Sequence, residues 1–112
     1  MTLTPSSVDI KLQVRVAHNE DVYLVALSGE MDISHERALS DELRRAEASD
    51  AQSIVVDLSG LRFMDSTGLK ILLAAQNRSD ADGDRLYLRR GSAEVHHLFD
   101  VSGTVERFHF LT

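Results

Sequence analysis

An α/β fold, with a β-hairpin at its start and strand–helix–strand crossovers after it, is predicted by three features of the 112-residue sequence. Ile10, Leu12, Val14 and Val16 alternate with Lys11, Gln13 and Arg15, the period of a strand with one wet face. Val22 to Leu27 is an unbroken apolar run, the mark of a more central strand. Beyond it, segments with helical spacing alternate with short apolar strands, which implies parallel pairing through right-handed crossovers.

The elements follow in order. Met1 to Asp9, with its Thr, Pro and Ser, is expected to be a flexible tail, and one domain spans residues 10–112. His18-Asn19-Glu20-Asp21 is a polar turn that closes the hairpin. Gly29-Glu30-Met31-Asp32 is a loop, and Asp32 or Ser34 caps the next helix. In that helix Leu39, Leu43 and Ala46 form a stripe, while Glu36, Arg37, Glu42 and Arg45 lie largely on other faces. Ile54-Val55-Val56 marks a buried strand ending near Leu58. A second helix from about Thr67 to Arg78 carries Leu69, Leu72, Leu73 and Gln76 on one stripe. Arg85 to Arg89 is a strand. Ser92 caps a short helix with Val95, Leu98 and Phe99, which stops before Gly103, and Thr104 to Phe110 alternates as a last strand. No internal repeat or linker interrupts this single α/β layer.

Composition narrows the function. Hydrophobic content of 43% and charged content of 27% are those of an ordinary globular domain. With no cysteine there is no disulfide framework, thiolate zinc site or thiol chemistry. Eighteen acids against 12 Lys and Arg give a net charge of −6, which repels phosphate backbones and anionic lipid. Arg44-Arg45 and Arg89-Arg90 are too short and too close to acids to reverse that. No direct binding of nucleic acid and no membrane insertion is therefore expected. Met1 to Asp9 lacks the basic start and apolar stretch of a secretory signal. Ile71 to Ala75, like the Val22–Leu27 run, is far too short to span a bilayer. A cytoplasmic protein is the resulting expectation.

The unusual local sequence is Phe63-Met64-Asp65-Ser66-Thr67-Gly68-Leu69, where a loop becomes a helix. One reading makes a hydroxyl there a simple helix cap, stabilising by about 1 kcal/mol. Another makes Ser66 a phosphate acceptor, because amides and the helix dipole tolerate negative charge at a helix start. A hydrolase elbow needs Gly two residues before the serine, and that position is Met64. The five histidines are scattered and read as surface residues, with His96-His97 too close in sequence to share a metal from one helix face. A phospho-aspartate receiver built on Asp57 would need an acid cluster and a late lysine, and the chain has neither. No phosphate-cradling glycine loop is present. No catalytic residues, no metal ligands and no cofactor are expected, so the chain reads as a binding protein and not an enzyme.

Three segments in this order resemble the STAS domains, specifically the bacterial anti-sigma factor antagonists. They are Leu27-Ser28-Gly29-Glu30-Met31-Asp32, the Phe63–Leu69 segment, and Leu98-Phe99-Asp100-Val101-Ser102-Gly103. The resemblance implies a single STAS-type domain, a mixed sheet of about five strands with an N-terminal hairpin and helices mostly on one face. It implies that Ser66 is the phospho-acceptor, with Asp65, Thr67 and Gly68 around it. Gly29, Glu30 and Asp32 would lie beside it and help form the partner surface. The implied partner is an anti-sigma factor serine kinase of the GHKL type, bound by the unphosphorylated form so that a sigma factor is freed. Phosphorylation at Ser66 would end that binding, and a phosphoserine phosphatase would restore it. Lys70 falls where many relatives carry a small residue. The alternative is a STAS scaffold that is not phosphorylated, such as a subunit of a membrane transport system.

Overall fold

The computed structural model describes residues 1–8 and 11–111, so Ile10 of the alternating pattern lies outside the described residues. Six strands form one sheet in the order β1 (Thr4–Val8), β2 (Leu12–His18), β3 (Val22–Met31), β4 (Ser53–Met64), β5 (Leu86–Arg89) and β6 (Phe110–Leu111). The first two pairings are antiparallel and the remaining three parallel. Helices α1 (Glu36–Ala48), α2 (Ser66–Asp80) and α3 (Ala93–Ser102) fill the three parallel crossovers. Each crossover steps the same way along the sheet, so right-handed connections place all three helices on one face. Burial alternates accordingly. Val14, Val25, Val56 and Leu88 are fully buried on the helix side, while their neighbours Arg15, Asp57 and Arg89 face outward.

The predicted hairpin is present, from Leu12 opposite Gly29 to His18 opposite Tyr23. Several boundaries differ from the sequence reading. Thr4–Val8, expected to be loose tail, runs antiparallel to β2 as an edge strand, with Thr4 opposite Val16. The loop expected at residues 29–32 is mostly strand, because β3 continues to Met31. The last strand expected over residues 104–110 is instead a 3-10 turn at Val105–Arg107 followed by a two-residue β6. The apparent alternation arises there because Phe108 and Phe110 both pack edge-on against Phe99, each 5.3 Å away. Gly103 ends α3 in the left-handed region at φ 71°, as its place after the helix predicts.

β4 runs six residues past the predicted end at Leu58. Its pairing with β3 contains two register shifts, between Ala26 and Ser28 and between Gly29 and Glu30. Extra residues on β4 change its inward spacing from two to three, so Leu58, Leu61 and Met64 are buried while Arg62 and Phe63 are left outside. Gly29 sits at this irregularity with φ 98°, and a Cβ there would lie 2.0 Å from the Lys11 carbonyl oxygen. The same carbonyl accepts from the Glu30 amide at 2.7 Å, which holds the end of β3 against the start of β2.

Glu42, expected on an outer face, is buried instead. It lies three residues after Leu39 and four before Ala46, on the same stripe of α1. Its carboxylate accepts from the Tyr23 hydroxyl at 2.5 Å, from Arg45 at 3.1 Å and from the Ser6 hydroxyl. Burial pushes this carboxyl up, and the donors Arg45, Ser6 and Tyr23 together outweigh it, leaving the group below the ordinary glutamate value. Tyr23 is pushed up to about 12 by burial and by its bond to Glu42.

Two stability predictions follow from these contacts. Tyr23 is raised in the folded state, so its contribution is complete below its unfolded pKa, about 10, and is lost as pH rises toward 12. Tyr23→Phe should cost about 2 kcal/mol at pH 7, and urea unfolding should show the gap from wild type closing above pH 10; a constant gap would refute the assignment. Gly29→Ala should destabilise by about 2 to 3 kcal/mol through strained backbone and collision with Lys11, measured by the same unfolding curves.

Candidate functional site

The parallel pairing of β3 and β4 sets Met31 opposite Met64. The two chain segments that leave these strands therefore emerge side by side. A backbone bond from the Asp65 amide to the Met31 carbonyl, 3.2 Å, ties them together. On one side Asp32 caps a 3-10 turn, Ile33–His35, accepting from the Ser34 amide at 3.0 Å and the Ser34 hydroxyl at 2.6 Å. Those two donors hold the Asp32 carboxyl below the usual aspartate range, with His35 and Lys11 adding to the effect. Lys11 Nζ stands 3.8 Å from it.

On the other side Asp65 is the cap of α2. Its extended backbone and its carboxylate, which accepts from the Thr67 amide at 2.9 Å, begin the helix one residue earlier than the sequence predicts. Ser66 is thus the first residue inside α2. It is exposed, and its hydroxyl makes no hydrogen bond among the described residues. The capping reading of Ser66 is corrected: Asp65 performs that task. Thr67 is half-buried and faces the groove between α1 and α2. Gly68 is buried, where a Cβ would lie 2.6 Å from Met64 Cγ and 3.1 Å from Met31 Cγ. The absence of a side chain there lets the first turn of α2 rest on both methionines. Leu69, Leu72 and Gln76 continue the buried stripe as predicted.

Of the residues predicted from sequence, Asp32, Asp65, Ser66, Thr67 and Gly68 come together on these two adjoining segments. Glu30 lies beside them, opposite Phe63 on β4 and 3.4 Å from Arg62. Gly29 stands one residue further back, and its evident task is the backbone bend described above. The expectation of surface histidines fails for His35, which is buried. Its ring folds back beneath the turn, where Nδ1 accepts from the Asp32 amide at 3.3 Å. Asp57 accepts from the Ser59 amide at 2.9 Å and from Arg89 at 3.1 Å. Burial raises its carboxyl and these donors outweigh it, leaving it lowered and ionised. Among the described residues no group of three or more His, Asp and Glu is placed to hold a metal ion.

Two surface features beside Ser66 escaped the sequence reading. A groove of about 470 Å³ between α1 and α2 is lined by Ile33, Glu36, Arg44, Thr67 and Lys70 among others. An apolar cleft of about 290 Å³ lies between β4 and α3, against Phe63, Met64, Leu98 and Val101. Ile33, Phe63 and Val101 are 70%, 48% and 66% exposed, unusual for large apolar residues on a charged surface. The only advance signal was Phe63, an aromatic directly before the Met64-Asp65-Ser66 segment.

Comparison with known proteins places this geometry. The family model described as "Mlab, STAS domain" matches residues 14–110. The anti-sigma F factor antagonist of Paenibacillus polymyxa is 30% identical over 95 residues, covering 84% of this chain and 81% of that protein. The anti-sigma-B factor antagonist of Staphylococcus epidermidis is 25% identical over 100 residues, covering 89% and 93%. Among solved structures, an anti-sigma factor antagonist from Mycobacterium paratuberculosis superposes with a TM-score of 0.79 at 24% identity, covering 93% of this chain and 88% of that one. The anti-sigma factor antagonist SpoIIAA in its unphosphorylated form superposes with a TM-score of 0.75 at 22% identity, covering 88% of each. These two likenesses are of fold. A family model that spans most of the sheet and all three helices, together with a relative at 30% identity, establishes that the chain belongs to the STAS domain family.

Proposed function

We propose that this chain is an anti-sigma factor antagonist, switched by phosphorylation of Ser66. The observation that carries the reading is the division of labour at the start of α2. Asp65 satisfies the free amide, so Ser66 is left exposed with an uncommitted hydroxyl. A serine that capped the helix would lose its bond on modification. Here a phosphate is added without breaking any bond of the fold. The relatives named as anti-sigma factor antagonists support the class of partner.

The partner is an anti-sigma factor, and more specifically a serine kinase of the GHKL type. The unphosphorylated chain binds it and frees a sigma factor. The surface it covers includes Glu30 and Asp32 on one segment and Asp65, Ser66 and Thr67 on the other, with Gly29 and Gly68 shaping the backbone beneath. The kinase transfers the γ-phosphoryl group of ATP to Ser66 Oγ, which loses its proton as ADP leaves. The product carries about −1.5 to −2 extra charges at neutral pH. A partner packed over this point has to strip water from those charges, and about 3 kcal/mol of lost binding free energy is roughly a hundredfold in affinity. The switch thus acts through the partner while the fold stays unchanged. A phosphoserine phosphatase reverses it. The chemistry belongs to the two partners, and all three proteins are placed in the cytoplasm. Among the described residues no helix is long and apolar enough to cross a membrane.

The test combines modification with binding. After incubation with ATP and lysate of the source cells, mass spectrometry should find phosphate on Ser66, and none in Ser66→Ala. Ser66→Ala should keep binding the anti-sigma factor when ATP is present, while Ser66→Asp should bind about tenfold or more weakly, a loss of about 1.4 kcal/mol or more. Equal affinity of the two variants, measured by calorimetry, would sink the switch and leave the reading of an unmodified scaffold.

A further inference from the structure

The groove between α1 and α2 holds two cations, Arg44 and Lys70, that make no ion pair or hydrogen bond among the described residues. Elsewhere Arg45, Arg62, Arg78, Arg85, Arg89 and Arg107 each hold a carboxylate. Arg15, Arg37 and Arg90 hold no carboxylate among the described residues either, and what sets Lys70 apart is its place in the helix that carries Ser66. Lys70 is exposed and stands four residues after Ser66 in the same helix. Residues four apart in a helix are neighbours, and an anion placed N-terminal to a lysine is the favourable order. The acids nearest along this surface do not take up Lys70. Glu36 lines the groove without an ion pair to it, and the Asp65 carboxylate accepts from the Thr67 amide.

We propose that Lys70 is the built-in counter-ion of phosphorylated Ser66, closing on the phosphate along the face of α2. This rests on Ser66 being the acceptor and adds how the modified state is held. Phosphorylation then alters the surface twice. It adds negative charge at the start of α2, and it withdraws the Lys70 ammonium from the groove, where Arg44 remains the unpaired cation. Lys70 is a positioning residue for the modification, and in the unmodified chain it makes no ion pair among the described residues.

The test uses the full chain with phosphoserine installed at position 66 during translation, so that it depends on no kinase. The second ionisation of the phosphate is followed by ³¹P NMR at low salt in four proteins: unaltered at position 70, Lys70→Gln, Lys70→Arg and Arg44→Gln. The Lys70 and Lys70→Arg proteins should ionise lower than Lys70→Gln by about 0.2 to 0.4 pH units. The difference should shrink near 1 M salt, where the screening length falls to about 3 Å. Equal titration of the Lys70 and Lys70→Gln proteins at low salt would overturn the pairing. So would a shift produced by Arg44→Gln alone, which would place the counter-ion on α1. Failure of Ser66 as a natural acceptor would appear separately, as absence of phosphate after kinase treatment, and would leave this titration unaffected.

Discussion

The parallel pairing of β3 with β4 is the constraint on which the rest depends. Parallel strands end at the same edge of a sheet, so whatever follows each of them is delivered to one place. Here the last pair in the ladder is Met31 with Met64, and the residues that follow are Asp32 and Asp65. Both aspartates turn the chain from strand to helix by the same device, a carboxylate that accepts a backbone amide two residues on. The two methionines form the floor, and Gly68 allows α2 to descend onto it. Ser66 is held at the rim of this construction, its hydroxyl without a hydrogen bond among the described residues.

That arrangement would let the proposed modification of Ser66 coexist with a stable helix. Hydroxyls at helix starts ordinarily accept an amide, and modifying such a group costs the helix its cap. A preceding aspartate removes the conflict. The Asp65 carboxylate is the cap, and the serine hydroxyl is left out of it. The price is local negative charge, which the amide ends of α2 offset.

Away from the site, the buried Glu42 network joins three elements that the hydrophobic core alone would hold less specifically. Tyr23 on β3, Glu42 on α1 and Ser6 on β1 meet at one carboxylate. A buried carboxylate with several donors is costly to disturb, since any lost donor leaves charge unsolvated. Its location under the edge strand gives residues 4–8, which carry few apolar side chains, a polar reason to order. Among the described residues no helix covers the opposite face of the sheet, and there the Arg89–Asp57 pair and the outward side chains of β2 remain in contact with solvent.

The sequence by itself determined the elements whose signal is local. Alternation marked β2, the apolar run marked β3, helical spacing marked α1 and α2, and Ser92 and Gly103 bracketed α3. The Asp65-Ser66-Thr67-Gly68 segment was legible as a helix start because Asp, Ser and Thr are capping types, and as a site through its family resemblance. Tertiary structure decided what depends on partners distant in the chain. The bulges on β4 arise from pairing with β3, so the length of β4 and the exposure of Phe63 were invisible in its own residues. Glu42 is inside because Tyr23, Arg45 and Ser6 meet it there; its charge suggested the outside. The capping reading of the hydroxyl failed for the same reason: Asp and Ser both cap helices, and the backbone angle at residue 65 settles which one does. Local periodicity is written in neighbouring residues, whereas burial of a charge and the freedom of a hydroxyl are properties of the packed surroundings.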